Sequence, residues 1–140
     1  MSTTGSIRAA AGFSLAALAL LGGCTSVNST GATFEGTRWQ VTAVNGQATP
    51  RTDSYRLQFG DGSIGGRFGC NHFGGSYRVQ GDMLFASNIA STLMGCPEPA
   101  GTFERNGLAV LSQPMRVDWR SGESLTLSNP TGSIALAPLP

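Results

Sequence analysis

The chain has 140 residues, only 12 % of them charged, and 20 glycines. Its nine basic residues are all arginine and stand against eight acids, for a formal charge of +1. Such a neutral chain offers no electrostatic footprint for nucleic acid, and its length suits one domain with one modest core.

Residues Met1–Arg8 are polar and carry one cation, Arg8; Ala9–Leu21 is then largely apolar. That run suits the hydrophobic stretch of an export signal and is short for a transmembrane helix, which needs about 20 residues. It ends in Leu21-Gly22-Gly23-Cys24, which resembles the lipobox of bacterial lipoproteins. The resemblance implies that residues 1–23 are a leader and that Cys24 is the lipidation site, acylated on its thiol and on the new amine. Several acyl chains, at about 0.8 kcal/mol per buried CH₂, hold where one would be marginal. With Arg8 removed, the mature formal charge falls to zero. Residues 24–36 form the lipidated terminus and a Ser-, Thr- and Gly-rich tether, expected to be flexible and to bury nothing. The domain is expected over 37–140. Thr25 follows Cys24, where similar inner-membrane lipoproteins of enteric bacteria often carry Asp. The expected location is the cell envelope, on the periplasmic face of the outer membrane if the cell has two membranes.

Beyond the tether, apolar and polar residues alternate. Trp39 and Val41, then Tyr55, Leu57 and Phe59, then Tyr77 and Val79 define three such runs. Met115, Val117 and Trp119, then Leu125 and Leu127, then Ile134 and Leu136 continue the pattern. Each is a short strand with one dry face. Asn45-Gly46, Asp61-Gly62, Gly81-Asp82, Ser121-Gly122 and Asn129-Pro130 supply the turns. The pattern predicts a mostly β fold: a compact antiparallel barrel-like meander of about eight short strands. Met83-Leu84-Phe85 does not reveal which face of its segment is dry. Pro99–Gln113 breaks the alternation with Ala100, Phe103, Gly107, Val110 and Leu111 at helical spacing, predicting one helix that plugs or crosses the barrel.

Two cysteines remain after Cys24. Cys70 lies in Phe68-Gly69-Cys70-Asn71-His72-Phe73-Gly74-Gly75-Ser76-Tyr77, and Cys96 in Ser91-Thr92-Leu93-Met94-Gly95-Cys96-Pro97. An even pair in an oxidising compartment suggests a disulfide, worth roughly 3.5 kcal/mol for such a loop in the chain-entropy model. Two buried thiols, or a redox or metal pair, are the alternatives. The absence of Cys-x-x-Cys and the presence of one histidine argue against a metal site, and no cofactor is expected.

Gly69-Cys70-Asn71 with Phe73, Gly75 and Tyr77, then Thr92, Met94 and Cys96, then Glu104 in the helix, resembles the META domain, also called HslJ-like, over roughly Thr37 to Leu136. Trp39, Asn45-Gly46 and Asp61-Gly62 fit its entry. The resemblance implies a β-barrel-like fold with a helix and a loose link to heat shock and stress response, and it brings no catalytic residues. Leu93 stands where similar domains often carry Arg. For the motif residues themselves the expected roles are structural: glycines for bulges and close approach, Asn71 for local backbone bonds, Glu104 for backbone groups at the domain edge.

No catalytic set is expected. His72 lacks a paired nucleophile and carboxylate, Ser76 lies in no Gly-x-Ser-x-Gly elbow, and no two acids stand out. The expected protein is non-catalytic, anchored to a membrane through Cys24, and works through an envelope protein in stress tolerance or maintenance. A lipocalin-like binder of a small ligand and an inhibitor of a hydrolase such as lysozyme are the alternatives. An eight-stranded barrel is just wide enough to be filled by side chains or to hold one small ligand. Trp39, Phe59, Tyr77, Trp119 and several leucines are expected to fill it.

Overall fold

A computed structural model of the chain describes Gly5 and residues 33–140. The expected leader, Cys24 and the tether up to residue 32 lie outside the described residues. Among the described residues no helix is long and apolar enough to cross a membrane.

The elements run β1 (Arg38–Val44), β2 (Gln47–Ala48), β3 (Tyr55–Phe59), β4 (Ser63–Phe68), β5 (His72–Gln80), β6 (Met83–Ser91), α1 (Ala100–Leu111), β7 (Met115–Trp119), β8 (Leu125–Asn129) and β9 (Gly132–Leu139). From β3 onward each strand pairs antiparallel with the next, β1 pairs β3, and β9 returns to pair β1. Eight strands thus close into a barrel, while two-residue β2 only extends the hairpin after β1. At that hairpin Asn45 and Gly46 take φ of 51° and 77°, the pair of positive angles a type I′ turn demands. The inward row of alternate residues is apolar: Val41, Leu57, Phe68, Leu84, Leu127 and Ile134 are fully buried. The interior is packed with side chains.

A meander reverses direction at every strand, so its connections alternate between two ends. The chain enters at one end, which also carries the turns at 60–62 and 81–82, the 3₁₀ turn Ser121–Glu123 and the C-terminus. The other end carries the β4–β5 turn at 69–71, the 92–99 segment and α1. α1 closes that end with Gly101, Phe103, Gly107, Val110 and Leu111 buried. Phe103 meets Tyr55 edge-on at 5.6 Å. A Cβ on Gly107 would lie 2.6 Å from the Phe68 ring, so glycine is what lets the helix approach β4. Asn129 donates to the Val110 carbonyl at 2.8 Å, satisfying a helix-terminal acceptor.

Two expectations change at the entry end. The segment before residue 37 does bury something: Phe34 is 2 % exposed and packs 4.7 Å from Phe59 and 6.3 Å from Trp39. The folded body therefore begins before the expected boundary, because the barrel needs an apolar stopper where no helix caps it. Trp119 is not a core filler. β7 ends there, so the side chain emerges at the rim, 49 % exposed, over Phe34 and Trp39.

The unreadable face of β6 also has a physical cause. The β5–β6 register shifts between Gly74 and Ser76, and Asn88 takes φ of 53°. This bulge inserts one residue, so Leu84 and Ala86 are followed inward by Ile89 and the period of two breaks. Gly75 makes room, since a Cβ there would lie 2.6 Å from the Ser87 carbonyl oxygen.

Candidate functional site

The helix end gathers seven of the residues singled out from the sequence: Gly69, Cys70, Asn71, Thr92, Met94, Cys96 and Glu104. Cys70 and Cys96 are bridged, with Cα atoms 5.9 Å apart. The bridge ties the β4–β5 turn to the segment leading into α1. Gly69 takes φ of 154°, and a Cβ there would meet the Ala100 carbonyl oxygen at 3.0 Å, so the turn passes close to the helix start.

Asn71, 3 % exposed, is the centre of the arrangement. Its Oδ1 accepts from the Thr92 hydroxyl at 2.8 Å and the Met94 N–H at 2.7 Å. Its Nδ2 donates to the Met94 carbonyl at 2.9 Å and to Glu104 Oε1 at 2.7 Å. Glu104 Oε2 accepts the Asn71 backbone N–H at 3.1 Å. Asn71 thus grips both backbone groups of Met94, much as a neighbouring strand would, and Glu104 grips Asn71 in two places. The disulfide sulfur of Cys96 lies against both, 3.2 Å from Asn71 Nδ2 and 3.3 Å from Glu104 Oε2. Thr92 and His72 continue the ladder: Thr92 N–H donates to the His72 carbonyl at 2.9 Å, and His72 N–H to the Thr92 hydroxyl at 3.1 Å.

What this clamp holds is a protruding apolar loop. Leu93 is 95 % exposed and Met94 59 % exposed. The far end of the loop is fixed by Glu98, which accepts from Thr102 N–H at 3.0 Å, the Thr102 hydroxyl at 2.6 Å and Arg105 at 2.9 Å. The Thr102 hydroxyl, then Arg105, hold the Glu98 carboxyl below the usual carboxylate range.

The other three motif residues serve the barrel wall. Phe73 stacks on Phe68 at 5.3 Å, Gly75 makes room for the β6 bulge, and Tyr77 meets Phe59 at 4.9 Å. Burial, and then the nearby Glu35 and Asp61 carboxylates, push the Tyr77 hydroxyl up, and burial pushes Tyr55 up. His72 is exposed, as a turn-flanking residue is expected to be. Donor atoms of Cys70, Cys96 and Glu104 lie within 4.8 Å of one another. Both sulfurs are spent in the bridge, so the trio offers a cation one carboxylate and no thiolate. Sequence patterning missed Phe34, whose signal is a lone aromatic in a polar segment, and the exposure of Leu93, which has no sequence signal at all.

The META domain profile matches residues 32–137. The chain belongs to the META domain family. Its match begins at residue 32, in keeping with the buried Phe34. One protein solved by NMR is 24 % identical and superposes with a TM-score of 0.64, covering 74 % of this chain and 89 % of its own. A second, from Burkholderia xenovorans, is 21 % identical with a TM-score of 0.60, covering 76 % of this chain and 83 % of its own. Both share the fold. No curated protein matches the chain.

Proposed function

We propose that this META-domain protein is a non-catalytic lipoprotein of the cell envelope, anchored through Cys24 and acting through protein contacts in stress tolerance or envelope maintenance. The observation that carries this reading is the clamped loop. Every polar atom of the Asn71 side chain is engaged in holding backbone or its neighbours Thr92 and Glu104, which leaves it no part in proton transfer or attack, while Leu93 and Met94 are held out to solvent. An exposed apolar pair fixed in advance costs little ordering entropy on binding. The chain enters at the end of the barrel opposite the loop. The side-chain-filled interior favours contacts over a lipocalin-like binder. The same rigid loop supports, as a second reading, an inhibitor of a hydrolase such as lysozyme.

Two experiments test this. Blocking lipoprotein signal peptidase is expected to accumulate a larger precursor; none accumulating overturns the anchor at Cys24. A photo-crosslinker at position 93 of the full chain is expected to capture a defined envelope protein that a probe at position 47 does not. Equal capture from both overturns the loop as contact surface, and lysozyme inhibition by the purified chain would select the second reading.

A further inference from the structure

The outer wall of the barrel carries a cluster that the clamp does not use. Arg56 on β3 stands opposite Arg67 on β4, and Arg67 opposite His72 on β5. Their chain neighbours Tyr55, Leu57, Phe68 and Phe73 face inward and are buried, so Arg56, Arg67 and His72 share the outer face in one row. All three line a single concavity of about 120 Å³ with Gln58, Gly66 and Phe73.

This row is unbalanced. Like charges directly opposite on neighbouring strands destabilise a sheet. The ion pairs among the described residues are Arg105–Glu98 and Arg116–Asp82, neither of which reaches the row. Arg67 donates through Nη2 to the Cys70 carbonyl at 3.1 Å, which fixes its guanidinium beside the disulfide turn. Its Nε is buried and has no hydrogen-bond partner. That atom is closed to solvent, so a ligand would meet the outer edge of the guanidinium, where the row's missing negative charge calls for an anion.

We propose that Arg56, Arg67 and His72 form a binding site for a phosphate-class oxyanion. Guanidinium forks match the geometry of a tetrahedral oxyanion, and the concavity has room for one such group. Gln58 joins it to a second, open groove of about 520 Å³ that passes over Gly65 and Gly74 and is flanked by Arg38. Those outward glycines leave the sheet bare, giving space for the remainder of a phosphate ester. A phosphate ester with a small polar remainder therefore binds better than inorganic phosphate.

The test uses the full chain in neutral detergent, at constant pH and ionic strength. His72 is the single histidine, so its ring resonances report on the site without assignment ambiguity. Titration with inorganic phosphate and with glycerol 3-phosphate is expected to move those resonances saturably and to raise the melting temperature, more so for the ester. A third arm places the chain in phosphatidylglycerol or phosphatidylcholine nanodiscs. A His72 shift specific to phosphatidylglycerol, without added phosphate, identifies a lipid headgroup as the source; a shift only with soluble ligand identifies free phosphate or its esters. Arg56→Gln and Arg67→Gln are each expected to weaken binding roughly tenfold or more, the loss of one charge-assisted hydrogen bond. Arg116→Gln, on another strand and paired with Asp82, is expected to leave it unchanged. Absence of a saturable shift with all three probes overturns the site. So does binding that survives Arg56→Gln and Arg67→Gln in variants whose melting shows them folded.

Discussion

Asn71→Asp exchanges one amide NH₂ for an oxygen and tests the clamp with almost no change of shape. In the native protein Nδ2 donates to Glu104 Oε1 at 2.7 Å and to the Met94 carbonyl at 2.9 Å. The variant puts a carboxylate oxygen in front of both acceptors. Two unit charges about 3 Å apart repel by roughly 5 kcal/mol at an effective dielectric of about 20. The pair can escape by binding one proton, and at pH 7 protonating a carboxyl of ordinary pKa near 4 costs about 4 kcal/mol, at roughly 1.4 kcal/mol per unit. The cheaper route sets the ceiling, so Asn71→Asp is expected to lose about 4 kcal/mol at pH 7. The shared proton then rebuilds the bond to Glu104. The sign follows: the variant's acid pair has a folded pKa raised above its unfolded value. Its stability is full below about pH 4 and is lost as pH rises through the folded pKa. Asn71→Ala behaves differently. It drops four hydrogen bonds at about 1 kcal/mol each, offset where Met94 can turn to water, for a loss of roughly 2–4 kcal/mol that is nearly flat with pH. Urea midpoints of the wild type and both variants across about pH 4 to pH 7 separate the cases. If Asn71→Asp tracks Asn71→Ala at every pH, the Asn71–Glu104 contact is not what the clamp depends on.

Gly107→Ala sets two effects against each other: about 1 kcal/mol gained in helix propensity and about 1–3 kcal/mol lost to overpacking against the buried Phe68 ring, 2.6 Å from the new methyl. A net loss in thermal melting is expected, relieved in the double variant with Phe68→Leu. Phe34→Ala is expected to cost about 3–5 kcal/mol, as for a core phenylalanine; a cost below about 0.5 kcal/mol would return residue 34 to the tether. Tyr55 and Tyr77 have hydroxyls raised by burial, so the stability they contribute is present below the unfolded value near pH 10 and lost as pH climbs through the folded pKa. Melting temperature is expected to fall on the alkaline side, and less steeply in Tyr55→Phe.

The barrel was legible because its inward row alternates cleanly: Val41, Leu57 and Leu127 each sit between polar neighbours, and Asn45-Gly46 marks its turn by the backbone angles it permits. The helix was legible from Phe103, Gly107 and Val110. What failed did so where one residue upsets a period or where an end must be stopped. The bulge at Asn88 changes parity within β6, and local patterning cannot anticipate an inserted residue. Trp119 continues the dry face of β7 in sequence yet lies at the rim, because exposure depends on where the barrel ends. At the site, Cys70, Asn71, Cys96 and Glu104 stood out as residues, but spacing alone does not say that Asn71 grips both sides of Met94. That grip joins residues 23 apart in the chain and forms only where β5 and β6 pair side by side.

Why the motif lies where it does follows from how the chain passes from β6 into α1. From β3 onward the other neighbouring strands are joined by short turns, but between β6 and β7 the chain detours through α1. The β6–β7 ladder is accordingly short, with Met83 opposite Arg116 and Leu84 opposite Met115. The rest of β6, from Phe85 to Ser91, pairs only with β5. A wall that loses its ladder halfway is the weak seam of a closed sheet, because backbone groups there have no strand to bond. On its other edge the chain continues the β5–β6 ladder past its last pair, Phe73 opposite Ser91. Thr92 pairs with His72, Met94 is held by the Asn71 side chain acting in place of a strand, and the Cys70–Cys96 bridge fastens the next turn. Glu104 then fixes Asn71 from the helix side. The motif thus prolongs the β5–β6 ladder, the edge by which the far half of β6 is held, into the segment that leads to α1. That continuation needs a planar side chain that donates on one edge and accepts on the other as a peptide group does, which only an Asn or Gln amide supplies. Asn71→Gln would carry an extra methylene into a position 3 % exposed, with Cys96 Sγ already 3.2 Å from the amide nitrogen, so of the two amides asparagine is the one that fits.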